Sequence, residues 1–133
     1  MKKEVVNAPK IGKAFSNTTC HATKAGGFLF ITGQVANPPD VGGDPHATPE
    51  MGGIEQQATQ VMENLKAILE EAGTNFDNVI KRNVYLTHIG DFDPVYKVME
   101  KYLSSPMAST GVLAGLIPPS ARLEIELIAV IPD

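Results

Sequence analysis

Between residues 54 and 72 the apolar positions recur at helical spacing. Ile54, Ala58, Val61, Met62, Leu65, Leu69 and Ala72 fall on one face, and Glu55, Gln56, Glu63, Lys66 and Glu70 fill the other. The pattern predicts an amphipathic helix stopped by Gly73. A different rhythm precedes it. Phe28-Leu29-Phe30-Ile31-Thr32 is a short β-forming run behind Gly26-Gly27. Together with residues 20–24 it predicts a hairpin whose second strand ends at Gly33-Gln34. Residues 79–87 predict a strand, with Lys81, Arg82 and Asn83 turning one side toward polar surroundings. A second helix follows, with Asp91 as its N-cap and Pro94 in its first turn. Phe92, Val95, Met99 and Tyr102 form its apolar stripe. Two strands complete the pattern, near residues 109–114 and 122–131. Residues 1–18 show no period. Residues 36–53 hold four prolines and four glycines and predict a long loop.

The order is ββαβαββ. It predicts an α+β sandwich, a mostly antiparallel sheet with both helices on one face. Leu123, Ile125, Leu127, Ile128, Val130 and Ile131 make the closing strand apolar on both sides. Such a strand is expected to be covered on both faces, which predicts oligomerisation through the sheet.

Composition narrows the possibilities. A chain of 133 residues fits one domain spanning 1–133. The net charge of −4 and the scatter of the eleven Lys and Arg residues argue against nucleic acid as a partner. No apolar run approaches a membrane span, so no membrane partner is expected. Met1-Lys2-Lys3-Glu4 is not followed by the apolar core of a signal peptide, and a cytoplasmic location is expected. A single cysteine, Cys20, excludes an internal disulfide and fits that compartment.

The candidate chemistry centres on Glu124. A carboxylate in a cleft can take a proton from water or give one to a leaving amine if its pKa is raised. The competing reading is an ion pair with a neighbouring basic group. Strand alternation places Arg122 on the face of Glu124 and Glu126, as a substrate cation or a rim ion pair. Of Lys81 and Arg82, only one can face a given side. Ser109 and Thr110 could bind a small neutral ligand or simply start a strand. Cys20 and His21 resemble a nucleophile and base, but neighbours in an extended segment point to opposite faces. His21, His46 and His88 lack paired-ligand spacing, and Asp44-Pro45-His46 suggests only surface polarity. No phosphate-cradling or dinucleotide loop occurs. Neither metal nor cofactor is expected.

Four segments carry a resemblance. Residues 24–34, Lys-Ala-Gly-Gly-Phe-Leu-Phe-Ile-Thr-Gly-Gln, are similar to the Arg-Ala-Gly-Asn-Leu-Leu-Phe-Val-Ser-Gly-Gln of the RidA/YjgF family. Residues 57–73 resemble its first helix, and residues 78–92 its next strand and helix start. Residues 105–130, closing on Leu-Glu-Ile-Glu-Leu-Ile-Ala-Val, resemble its C-terminal segment. The resemblance implies a chorismate-mutase-like fold, a homotrimer with small-molecule clefts between subunits, and a cofactor-free imine/enamine deaminase. It implies Glu124 as the group that positions attacking water, with Thr32 and Gly33 lining the substrate. Three further positions depart from the family pattern: Thr19 stands for its Tyr, Ser109 for its carboxylate-binding Arg, and Tyr96 for an Asn. A hydroxyl in place of a guanidinium weakens carboxylate binding on the order of a hundredfold. The departures therefore point to an altered substrate, or alternatively to a trimer that binds a metabolite or a protein without turnover.

Overall fold

The computed structural model describes residues 2–14, 16–37, 46 and 49–133. Most of the loop predicted at 36–53, including Asp44 and Pro45, lies outside the described residues. The six strands described are β1 (Glu4–Val6), β2 (Ala22–Ala25), β3 (Phe28–Gln34), β4 (Val79–Leu86), β5 (Ala108–Leu113) and β6 (Leu123–Val130). Two helices, α1 (Ile54–Glu71) and α2 (Phe92–Met99), are inserted between them. The sheet order is β1-β2-β3-β6-β4-β5. All neighbours are antiparallel except β4 and β5.

The predicted α+β class and helix positions hold, and the sheet gains a strand. β1 is only three residues long, too short to impose a period, and it is fixed by pairing with β2. α1 turns Val61, Met62, Leu65, Ile68 and Leu69 into the core, against Leu29, Val84, Leu123 and Ile125 from the sheet. Each of those aliphatic side chains contributes roughly 1.5–3 kcal/mol by leaving water. Gly73, at φ +83°, ends the helix in the left-handed conformation that glycine adopts without strain.

β6 is buried at alternate positions. Leu123, Ile125, Leu127 and Ala129 face the helices, while Glu124, Glu126, Ile128 and Val130 are half-buried on the other side. On that second face Phe28 pairs with Val130 and Phe30 with Ile128 across the β3–β6 ladder. Phe28 is 42% exposed and Phe30 46% in the single chain.

At α2 one expectation is refined and one corrected. Asp91 is the N-cap residue, as expected, but its side chain makes no capping hydrogen bond. Its carboxylate instead receives Arg122 Nη2 at 2.6 Å and Nε at 3.1 Å. Phe92, expected in the buried stripe, is 41% exposed and stacks on Tyr96. Arg122 lies just ahead of β6, so strand alternation does not govern its side chain. Asp91 is 7% exposed and Arg122 41%, a pair half open to solvent. Asp91→Ala is expected to lower stability by about 1–2 kcal/mol, read from urea denaturation.

Candidate active-site cleft

β3 and β6 meet at an irregularity. Ile31 pairs with Leu127 and Gln34 with Ile125, so three steps on β3 oppose two on β6. The extra residue is a β-bulge, a feature that re-aims side chains near functional sites. Here it sets the bare Cα of Gly33 against the Glu124 carboxyl group. A Cβ on Gly33 would stand 2.8 Å from the carboxyl carbon, inside any tolerable contact.

Glu124 and Gly33 open onto a cleft of about 280 Å³. Thr19, Cys20, His21 and Thr32 line it, as do Gln34, Asn37, Asn64, Ile117, Pro118 and Lys13 among others. Burial, and then the nearby negative charge of Glu126, push the Glu124 pKa above the ordinary glutamate range. No described residue donates a hydrogen bond to its carboxylate. Glu126 is the opposite case. Its Oε1 accepts from Asn83 Nδ2 at 2.8 Å and from the Tyr85 hydroxyl at 2.6 Å. That hydrogen bond, followed by burial and by the charges of Glu126 and Glu124, raises the Tyr85 pKa. Two carboxylates on one strand face are thus separated in role. One is held by donors, and the other is left available to a ligand.

Cys20 and His21 both line the cleft, because β2 begins only at Ala22 and the two residues precede the extended segment. They still form no dyad. Cys20 Sγ donates to Ala22 O at 3.3 Å, and His21 Nδ1 accepts the Ala8 N–H at 2.9 Å. The accepting Nδ1 leaves the ring proton on Nε2, and burial lowers the His21 pKa, so the imidazole stays neutral. Thr32 donates its hydroxyl to Cys20 O at 2.6 Å and its N–H to His21 O at 2.9 Å. Both donors are committed, so Thr32 shapes the wall and fixes Cys20 and His21.

Within the single chain the structure brings Thr19, Thr32, Gly33 and Glu124 together, and Arg122, Ser109, Tyr96 and Thr110 do not line this cleft. Arg122 is held by Asp91. Ser109 and Tyr96 lie on the helix-bearing side of the sheet, where Arg82 Nε donates to Ser109 Oγ at 2.9 Å and the Arg82 guanidinium sits over the Tyr96 ring. Thr110 shares the Glu124 side but accepts Lys81 Nζ at 2.8 Å. Lys81 and Arg82 therefore do face opposite ways.

Sequence reasoning missed Lys13 and Asn64. Asn64 falls three residues after Val61 on the buried stripe of α1, and a polar residue there was the available signal. It bridges Gln60 Nε2 at 2.8 Å and Val35 O at 3.3 Å, tying α1 to the cleft wall. Lys13 lies in a segment without period and gave no signal. Among the described lining residues it is the one Lys or Arg. No group of three metal-ligating side chains occurs among the described residues, and no helix there is long and apolar enough to cross a membrane.

A family model described as Endoribonuclease L-PSP matches residues 7–131. A RutC family protein of Pyrococcus horikoshii is 40% identical over 96% of this chain and 97% of its own length. Reactive Intermediate Deaminase A, chloroplastic, of Arabidopsis thaliana is 33% identical over 97% of this chain and 66% of its own. The crystal structure of RidA from an Antarctic Psychrobacter species superimposes with a TM-score of 0.81 at 32% identity, covering 96% of this chain and 99% of that one.

Proposed function

The chain belongs to the endoribonuclease L-PSP family, the RidA/YjgF group that includes reactive intermediate deaminases, and from that premise we propose a cofactor-free deaminase of small imines or enamines. The observation that carries this reading is Glu124, a carboxylate of raised pKa with no donor among the described residues, pressed against Gly33 at a cleft. Water attacks the carbon of the substrate C=N bond. Glu124 takes a proton from that water as the C–O bond forms. That proton passes to nitrogen to give the carbinolamine, and Glu124 then relays the hydroxyl proton to nitrogen as the C–N bond breaks and the C=O bond forms. Imine and water thus yield a carbonyl compound and ammonia, and Glu124 is returned ionised. The neutral His21 and the short Thr19 side chain leave room on the wall for a substrate of different shape from one met by a tyrosine.

The assembly proposed is a homotrimer, with the cleft completed between subunits. The apolar pairs Phe28–Val130 and Phe30–Ile128 on the sheet face away from the helices support it. A lone thiol suits a reducing compartment such as the cytoplasm.

The test is ammonia release from a 2-imino acid generated in situ by an amino-acid oxidase. Acceleration over buffer is expected, and none at high protein concentration would remove the activity. A second reading is supported by Arg122 and Ser109, neither of which brings a free cation to Glu124. In it, the cleft holds a metabolite without turnover. A ligand that raises Tm and is recovered unchanged would favour that reading.

Catalysis by an ionised Glu124 has a pH signature. Rate falls as pH drops through its pKa, because the protonated carboxyl cannot accept from water. Burial and Glu126 raise that pKa, so the acidic limb of kcat/KM is expected above the ordinary glutamate range. Glu126→Gln removes one raising charge and should move the limb to lower pH.

A further inference from the structure

We infer that His21 and Gln34 form a recognition pair for an uncharged carboxamide, and that the molecule held beside Glu124 carries such a group. The inference rests on the reading of this cleft as a small-molecule site. Several polar side chains on its walls are spent within the protein. Thr19 donates its hydroxyl to Ser16 O at 3.2 Å, and Asn64 joins Gln60 to Val35 O. Thr32 holds Cys20 O and His21 O. His21 and Gln34 differ. Both line the cleft, and they are 6% and 9% exposed. Each keeps one polar side-chain atom that meets no partner among the described residues.

The fold decides which atom each residue keeps. His21 Nδ1 accepts the Ala8 N–H at 2.9 Å, so the proton of the neutral ring sits on Nε2, a donor. Gln34 Nε2 donates to Thr32 O at 3.1 Å. A carbonyl can only accept, so the amide orientation is settled, and Oε1 remains as an acceptor. Thr32 ties the two together. Its carbonyl takes Gln34, and its N–H goes to His21 O. One donor and one acceptor, both uncharged, thus belong to the same stretch of wall. A carboxamide answers them with a carbonyl oxygen and an NH₂ group in one plane. A carboxylate would set a lone pair against Gln34 Oε1. An alkyl group would leave both buried atoms unpaired, which costs binding. The pair therefore sets specificity, while Glu124 remains the group that moves protons.

Succinamate and 4-methylpentanoate share charge and shape, and differ in a terminal carboxamide against an isopropyl group. By calorimetry the protein is expected to bind succinamate about tenfold more tightly, or better. His21→Asn keeps an oxygen near the place of Nδ1, so the Ala8 contact and Tm should be retained while the preference drops several-fold. His21→Gln reaches the Nε2 position with an amide but gives up the Ala8 contact, so the preference should survive with a lower Tm. A merely structural His21 would leave the preference untouched in both variants. The proposal is overturned if succinamate does not bind saturably, if the two ligands bind alike, or if His21→Asn keeps the full preference. Turnover separates this from the deaminase reading, because the imino acids generated from asparagine and leucine carry the same two end groups. Hydrolysis of both with equal kcat/KM would keep the deaminase and sink the amide pair. A succinamate preference without hydrolysis of either would do the opposite.

Discussion

Replacing Glu124 with glutamine is expected to lower kcat/KM for imine hydrolysis by on the order of 10²- to 10⁴-fold. Glutamine preserves the size and one acceptor oxygen but cannot take a proton from water. The fold should not suffer. Burial raises the folded-state pKa of Glu124, which means that ionisation is penalised in the folded protein. The unfolded chain releases that proton more readily, so stability falls as pH rises from the ordinary glutamate pKa through the raised one. Above that window the loss is complete. Glutamine carries no such penalty, and at neutral pH Glu124→Gln should melt no lower than the unaltered protein. Loss of turnover together with an unchanged or higher Tm would mark Glu124 as a group kept for chemistry. A fall in Tm with rate retained would refute its role.

Gly33→Ala is the second large effect. The added methyl would stand 2.8 Å from the Glu124 carboxyl carbon, so the carboxylate must leave its position. A displacement of about 1 Å at a reacting group costs roughly 10²-fold in rate. Because the methyl acts only by moving Glu124, the two substitutions should not add. The double variant Gly33→Ala/Glu124→Gln is expected to be about as slow as Glu124→Gln alone. Additive losses in this cycle would mean that Gly33 contributes something other than room for the carboxylate. Crystal structures or carboxyl-carbon NMR of Gly33→Ala would locate the displaced group directly.

Much of the fold was legible in the sequence because long elements repeat a period. The eighteen residues of α1 give several turns of apolar spacing, and the β2–β3 hairpin is announced by its two glycines. β1 was not legible, since three residues carry no alternation. β5 could be read as a strand, but its parallel register against β4 depends on packing far from either sequence. The site was legible only where one residue type had one use. Glu124 stood out on an apolar strand. Asp91 did not, because an aspartate before a helix is equally a cap and an ion-pair partner, and Arg122 lies 31 residues away. Tertiary proximity decided between the two roles. The face taken by Ser109 was not legible for a related reason: its neighbour in sequence, Thr110, lies on the Glu124 side, and one residue of register separates the two faces.

The strand order has a consequence for how the protein is made. β6 is the last strand of the six to be synthesised, yet it lies between β3 and β4 in the sheet. While it is still within the ribosome, the nascent chain holds two half-sheets with no strand to join them. Each then carries a bare inner edge and apolar side chains waiting for Leu123, Ile125 and Leu127. Such edges invite pairing with other chains. The β3–β6 contact between Gly33 and Glu124 forms at the same late moment. Completion of the sheet and appearance of the cleft are therefore one event in biosynthesis, and a nascent chain without β6 should depend on chaperones and show no trace of activity.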